Sequence, residues 1–188
     1  MRMANGVAPG ARSTRCTLPI TTKNGASPCT PIAACSRCYV SRGQAGLSWL
    51  TILRKRETYR RAFDDFDAEK MARYGDAKRK RLLLDAGIVR NRLKVDAFIS
   101  NAQAYLKICE RPGGFDKYIW QFTDGKVVRR RPLYLGGIPA STSQSDTMSK
   151  DLKQNGFRFV GTTICYAFMQ AVGMVDEHQR YCWAGDRS

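Results

Sequence analysis

The sequence predicts an all-α protein. Its strongest helical pattern begins at Asn91, after which the apolar residues fall on one stripe at the spacing of a helix with one buried face. No segment alternates apolar and polar residues convincingly, as a strand would. Glycine and proline divide the rest of the chain into short helical stretches. The stripe after Asn91 consists of Val95, Phe98, Ile99, Ala102, Tyr105 and Leu106.

Two basic helices are expected before this one. The first is amphipathic and runs from 47 to about 63, with the run RKRETYRR expected on its solvent-exposed face. Asp67 is expected to cap the next helix. A short basic helix then runs through 78–84 and stops near Gly87.

After the Asn91 helix, the pattern is interrupted by the Pro-Gly-Gly run at 112–114. A helix resumes over 118–122, and 124–139 is expected to be loop, with a turn at Asp124 and Gly125.

The sequence from about 146 to 172 predicts two helices joined by a tight hairpin. Ser145 can cap a first helix that begins near Asp146, and Gly156 stands where a left-handed C-terminal residue belongs. Thr162 or Thr163 can cap the second helix. The expected buried residues are Met148 and Leu152 in the first helix, and Ile164, Ala167, Phe168 and Ala171, at i, i+3, i+4 and i+7, in the second.

This helix-hairpin-helix pattern is typical of an anion site. The hairpin directs backbone N–H groups outward beside the positive end of the second helix, where one DNA phosphate can bind. A plain turn inside a helical core would give a similar pattern. The residues expected to bind DNA here are Gly156, Phe157, Gly161, Thr162 and Thr163.

Composition also favours a polyanionic partner. The chain has 188 residues and a formal net charge of +16, and phosphate neutralisation supplies most sequence-independent affinity for nucleic acid. No run has the apolar length of a membrane span. Seven cysteines at irregular spacing predict reduced thiols or metal ligands rather than a disulfide framework. We expect a bacterial cytoplasmic protein associated with the nucleoid, with no membrane association and no implied obligate protein partner.

The first 43 residues differ in kind from the remainder. They contain no Asp or Glu, four of the seven cysteines and six basic residues, and they show no helical or strand periodicity. One interpretation is an organellar transit peptide, which is typically rich in arginine and serine and poor in acids. Another is a zinc knuckle on Cys35 and Cys38, because CxxC is a common half-site.

Several long segments resemble the DNA-3-methyladenine glycosylase I family. These are QAGLSWLTILRKRETYRRAF, LLLDAGIVRNRLKVDAFISNAQAYL and STSQSDTMSKDLKQNGFRFVGTTICYAFMQAVG, followed by His178 and Cys182. The resemblance covers Gln44 to about Trp183. It implies an all-helical helix-hairpin-helix enzyme over 44–188 that acts on double-stranded DNA with alkylated bases. Such an enzyme hydrolyses the N-glycosidic bond of 3-methyladenine, leaves an abasic site and holds a structural zinc.

The resemblance also implies roles for three residues. Trp49 matches the family's pocket tryptophan, whose indole face can stack on a cationic base. His178 and Cys182, spaced HxxxC, match the family's C-terminal zinc ligands. Without the resemblance, Trp49 would be interpreted as a core residue, and a His and a Cys four apart would indicate little.

The family pattern that should precede QAGLSW is absent from residues 1–43. It appears when the codons that encode these residues are read one base out of register. The shifted codons from Ser13 onward permit D, P, L and Y, those from Thr17 through Ser27 permit LAYHDEEWGV, and those from Ala34 through Gly43 permit LFEMLCLEG. Agreement over more than twenty positions predicts a frameshift that ends near Gly43. This hypothesis also explains the missing acids and the excess cysteines, so we prefer it to both earlier interpretations.

The printed chain then lacks residues on which the family's chemistry depends. The base-contacting glutamate, whose codon would straddle Ser41 and Arg42, is absent, so no catalytic residue is assigned. The pocket tyrosine and two of the four zinc ligands are also absent. Two ligands do not make a structural zinc site, and metal binding contributes to folding in such sites. We expect this chain to fold poorly at its N-terminal end and to cut slowly or not at all, which leaves a DNA-binding remnant as the alternative function.

Overall fold

The computed structural model describes residues 54–182, and the all-α prediction is confirmed. Regular structure within this range is dominated by seven α-helices, supplemented by three single 3-10 turns and two short strands. The helices are α1 (Arg56–Ala62), α2 (Ala68–Ala72), α3 (Asp76–Leu84), α4 (Arg92–Cys109), α5 (Gly114–Trp120), α6 (Ser143–Gln154) and α7 (Thr162–Ala171). The 3-10 turns are Asp64–Phe66, Gln121–Thr123 and Leu135–Gly137.

Helix α4 is the central element and contributes to two hydrophobic cores. The helix begins after Asn91, close to its predicted start, and Asn91 caps it by accepting the N–H of Lys94 at 3.1 Å. Five of the six residues in the predicted stripe are buried, whereas Leu106 is only partly buried. The first core takes Val95, Phe98 and Ala102 from α4, and the second core takes Ala104, Tyr105 and Ile108.

The first core is formed with α1, α2 and α3. Phe63, which follows α1, is fully buried, and its ring lies 4.3 Å from that of Phe98 between centroids. Asp67 caps α2 as predicted, because its carboxylate accepts the N–H groups of Glu69 and Lys70. Helix α1 ends close to its predicted end, and the part of that prediction before residue 54 lies outside the described residues.

The second core is formed by the second half of α4 with α5, α6 and α7. It buries Phe115, Met148 and Met169, among others. In the described part of the chain, no helix is both long enough and apolar enough to cross a bilayer.

Two strands occur where the sequence predicts none. β1 (Val128–Arg129) lies in the segment predicted as loop and pairs in parallel with β2 (Val175–Asp176). Two residues are too few to show an alternating pattern, so the sequence could not reveal them. The predicted turn at Asp124 and Gly125 is present, since both have positive φ, 51° and 70°.

The cap of α6 differs from the prediction. Thr142, not Ser145, is the N-cap, and Ser145 lies one turn inside the helix. The two form a capping box, in which Thr142 Oγ1 accepts the N–H of Ser145 at 3.3 Å and Ser145 Oγ accepts the N–H of Thr142 at 2.9 Å. Both residue types favour caps, so residue type alone did not distinguish them.

The prediction for α7 is wrong in its cap and in its buried face. Gly161 is the N-cap, and the hydroxyl of Thr162 instead donates to the carboxylate of Asp146. Ala167 is exposed and Ile164 is only partly buried. The helix is apolar around most of its circumference, so two stripes fit the spacing and tertiary packing selects between them. The buried residues of α7 are Cys165, Tyr166, Phe168 and Met169.

Candidate functional site

The turn between α6 and α7 contains most of the predicted DNA-binding residues. We call residues 155–161 the connection. Gly156 has a φ of +88°, the left-handed conformation predicted for it, and Phe159 also has positive φ, 56°. Phe159 is 39% exposed, whereas Val160 beside it is buried. Within the connection, Phe159 is therefore exposed to solvent, whereas its neighbour Val160 packs into the interior.

Phe157 faces the protein interior. Its side chain is 5% exposed, and its ring lies 6.4 Å from that of Phe115 between centroids. Its N–H donates to the carbonyl of Leu152 at 3.0 Å. Phe157 thus offers neither its ring nor its amide to a ligand, contrary to the role predicted for it, and it supports the connection from inside.

A run of backbone amides at the connection and the start of α7 lacks acceptors. Among the described residues, no acceptor lies within hydrogen-bond geometry of the N–H groups of residues 159–164. Gly161, Thr162 and Thr163 belong to this run. The first N–H groups of a helix have no partner within it, and the helix dipole makes that end positive. Consecutive amides of this kind are suited to binding an anion.

Two buried polar side chains attach the connection to the rest of the protein. Asn101 of α4 is 1% exposed; its Oδ1 accepts the N–H of Arg158 at 2.7 Å, and its Nδ2 donates to the carbonyl of Arg158 at 3.2 Å. Ser149 of α6 donates to the carbonyl of Val160 at 2.6 Å. Sequence reasoning missed both residues. An asparagine inside the apolar stripe of α4, beside Ala102, was a signal that could have revealed the first.

Basic side chains lie next to these amides. A groove of about 420 Å³ between α6 and the start of α7 is lined by Lys150, Lys153 and Thr162, together with Asp146, Ser149 and Gln154. Both lysines are exposed, as is Arg158 in the connection. These cations were not singled out from the sequence, because exposed lysines are common on any helix.

The carboxylate of Asp176 orients His178 near the end of the described chain. Asp176 Oδ1 lies 2.5 Å from Nδ1 of His178, and Oδ2 lies 2.9 Å from the guanidinium of Arg131. Burial opposes the ionisation of Asp176, but the hydrogen bonds from Arg131 and His178 outweigh it and lower its pKa to about 2. With Nδ1 engaged, Nε2 is the ring nitrogen suited to a metal, an arrangement common around zinc.

The described residues do not complete a zinc site. A closed structural site needs four nitrogen or sulfur ligands. Over residues 54–182, no group of three or more His, Cys, Asp or Glu side chains is arranged to hold a metal ion. His178 and the buried Cys182 therefore supply at most half of such a site.

The remaining predicted site residues lie outside the described residues. Trp49 and Ser41 both precede residue 54, as do Cys35 and Cys38. The predicted base pocket is consequently absent from the part of the chain that the structure describes.

A family model described as methyladenine glycosylase matches residues 36–185. The chain belongs to the methyladenine glycosylase family. Its match begins eight residues before Gln44, where the resemblance was expected to start, and the origin of residues 1–43 stays a prediction.

Two curated members of this family are similar to the chain. DNA-3-methyladenine glycosylase 1 of Escherichia coli K12 is 48% identical over 139 residues, which are 74% of each chain. DNA-3-methyladenine glycosylase of Haemophilus influenzae is 42% identical over 139 residues, 74% of this chain and 75% of the relative.

Solved structures of the family share the fold. A crystal structure of a 3-methyladenine DNA glycosylase I matches with a TM-score of 0.75 and 44% identity, covering 80% of this chain and 83% of that one. The Staphylococcus aureus enzyme, whose structure addresses 3-methyladenine recognition, matches with a TM-score of 0.77 and 36% identity, covering 81% of each chain.

Proposed function

We propose that this protein is a DNA-3-methyladenine glycosylase of base excision repair, a hydrolase that removes 3-methyladenine and leaves an abasic site. The observation that carries the proposal is membership of the methyladenine glycosylase family, with 48% identity to the Escherichia coli enzyme over 139 residues. The substrate is double-stranded DNA containing alkylated bases, and the protein acts in the cytoplasm, where a bacterial chromosome lies.

The chemistry asks little acid catalysis of the protein. Alkylation at N3 makes adenine cationic and a good leaving group, so the enzyme mainly extracts the base, recognises its charge and admits water. In this proposal Trp49 stacks on the cationic base. A desolvated cation–π contact of this kind contributes about 1–2 kcal/mol.

The DNA strand is held by a helix-hairpin-helix formed by α6, the connection and α7. Three features support this assignment: the amides of residues 159–164 without acceptors, the positive end of α7, and the exposed cations Lys150, Lys153 and Arg158. Such contacts fix the register of a protein on DNA without reading its bases. We therefore assign the phosphate contact to Gly161, Thr162 and Thr163, with Gly156 shaping the backbone.

We also propose that His178 and Cys182 are half of a structural zinc site. The carboxylate of Asp176 on Nδ1 of His178 supports this, because metal-binding histidines usually carry such a partner. The other two ligands would come from the N-terminal segment in its shifted reading frame. In the printed frame they are missing.

One observation favours a catalytically impaired DNA-binding remnant as the second candidate. The match to the Escherichia coli enzyme leaves about a quarter of each chain unmatched, and the family model begins only at residue 36. The unmatched residues 1–35 accord with an out-of-frame N-terminal segment, whereas the family model already matches residues 36–43 in the printed frame.

Release of 3-methyladenine from methylated duplex DNA separates these candidates. The printed chain should be compared with a chain whose residues 1–43 are replaced by the shifted-frame sequence. We expect slow or no release from the first and rapid release from the second, abolished by Trp49→Ala while weak duplex binding remains. Normal release by the printed chain would refute the impaired remnant, and no release by either chain would refute the glycosylase proposal.

A further inference from the structure

Asn101 forms hydrogen bonds with both backbone groups of one residue in the connection. Its partner, Arg158, is 57 residues away in sequence, and the side chain itself is 1% exposed. A buried amide is costly unless it is satisfied, so this side chain strongly favours one position of the Arg158 backbone.

A second attachment lies two residues further on. The hydroxyl of Ser149, also buried, donates to the carbonyl of Val160 at 2.6 Å. Phe159, between the two attached residues, adopts a φ of 56°. A non-glycine residue in that region is strained and persists only where its surroundings impose it. Both neighbours of Phe159 are held by buried side chains, Arg158 by Asn101 and Val160 by Ser149.

Within residues 54–182, the run of amides without acceptors begins at Phe159. The N–H of Arg158 is bound by Asn101, whereas those of residues 159–164 have no acceptor in the described part of the chain. Asn101 therefore binds the last backbone N–H before this run of amides.

We propose that Asn101, assisted by Ser149, is a positioning residue for DNA binding, which holds the connection so that its available amides meet a phosphate. The inference rests on the phosphate contact in the proposed function. Asn101 itself touches no DNA. It acts by keeping the binding conformation populated before DNA arrives, since affinity falls with the fraction of molecules in the competent conformation.

The test is a double-mutant cycle on the full chain. The dissociation constant of a fluorescein-labelled, unmodified duplex oligonucleotide is measured for Asn101→Ala, for Gly161→Asp and for the double variant. Circular dichroism selects a temperature at which every variant is folded. We expect each single change to raise Kd about tenfold and the double variant to be little worse than either, because both disable the same contact.

Gln103→Ala is the matched control. Gln103 lies on the same helix, and its side-chain amide also donates to a backbone carbonyl, that of Ala72 at 3.0 Å, but it does not touch the connection. Its removal should leave Kd unchanged. Ser149→Ala removes a single oxygen atom, should raise Kd as Asn101→Ala does, and replaces it in the test if that variant does not fold.

The outcomes distinguish the phosphate contact at Gly161 from the positioning role of Asn101. If Gly161→Asp leaves Kd unchanged, the phosphate contact is elsewhere and the proposed function is wrong on that point. If Gly161→Asp raises Kd while the folded Asn101→Ala and Ser149→Ala variants do not, or if the effects simply add, only the positioning role is overturned.

Discussion

At the scale of single residues, the two glycines of the connection differ in what they require of the backbone. Gly156 has a φ of +88°, whereas Gly161 has a φ of −62° and a ψ of 157°, which any residue can adopt. A Cβ atom added at either glycine would meet nothing within 4 Å. Gly161 can therefore be replaced without strain, so it is the better position for testing DNA binding.

Gly161→Asp should change stability and DNA binding in opposite directions. The new carboxylate would cap α7 and accept its available amides, and we expect about 0.5 kcal/mol of added stability. The same carboxylate would occupy and repel the phosphate position, so binding to all DNA sequences should weaken about equally. Chemical denaturation and binding titrations measure the two effects.

Gly161→Asn is the uncharged control for this prediction. It should also stabilise α7, because asparagine caps helices as well as aspartate does, and it should weaken binding less. Tighter binding by the Asp variant would contradict a phosphate at this position.

At the scale of elements, α5 is joined to the end of α6 by a buried hydroxyl. Tyr118 donates to the carboxylate of Asp151 at 2.5 Å, and Asn155 donates to both of these residues. Burial and then the Asp151 carboxylate raise the pKa of Tyr118 far above its usual value. The bond lies in the last turn of α6, close to the connection, and ties that turn to α5.

Tyr118→Phe should lower the free energy of unfolding by about 1–2 kcal/mol near neutral pH, since a hydrogen bond to a charged group is lost. The raised pKa means that the native tyrosine stays protonated where the unfolded one ionises, above its usual pKa of 10.0. The native form consequently loses stability as pH rises beyond that value, and its advantage over the variant should shrink there. Urea titrations at several pH values measure this.

Tyr134→Phe serves as the comparison, because Tyr134 is 67% exposed. It should change stability very little at neutral pH. An equal loss in both variants would show that the Asp151 bond contributes nothing.

Prediction from sequence succeeded for elements with strong local signals and failed where packing decides. The Asp67 cap, the start of α4 near Asn91 and the stripe of α4 were predictable because one residue or one period determines each. The buried face of α7 was not, because that helix is apolar on most sides. The polar side chain of Asn101 inside the stripe of α4 was a local signal, but its partner could not be predicted because it is a backbone group 57 residues away.

At the scale of the whole molecule, net charge and zinc content are properties that can be tested on the intact chain. The formal net charge of +16 predicts DNA affinity that falls steeply with salt for either candidate function, so salt dependence does not separate them. The site residues of the base pocket lie before residue 54 and were reached only through family resemblance. Their roles stay predictions.

Zinc content tests the proposed metal site directly. We expect the purified printed chain to hold much less than one zinc per molecule, because only His178 and Cys182 are present as ligands. The chain with residues 1–43 in the shifted frame should hold one, and His178→Ala in that chain should remove it. Atomic emission spectroscopy measures the metal, and intact mass identifies the frame. Stoichiometric zinc in the printed chain would contradict the prediction.

Helix α4 has a consequence for how a damaged base is exposed. The helix places Phe98 and Ala102 in the first core, and Asn101 between them holds the connection. Helix α4 thus connects the first core to the amides proposed to contact phosphate, and we expect it to hold their separation fixed. We expect this spacing to be the same in free and DNA-bound protein, so the bending and unstacking needed to extrude a nucleotide must come from the duplex.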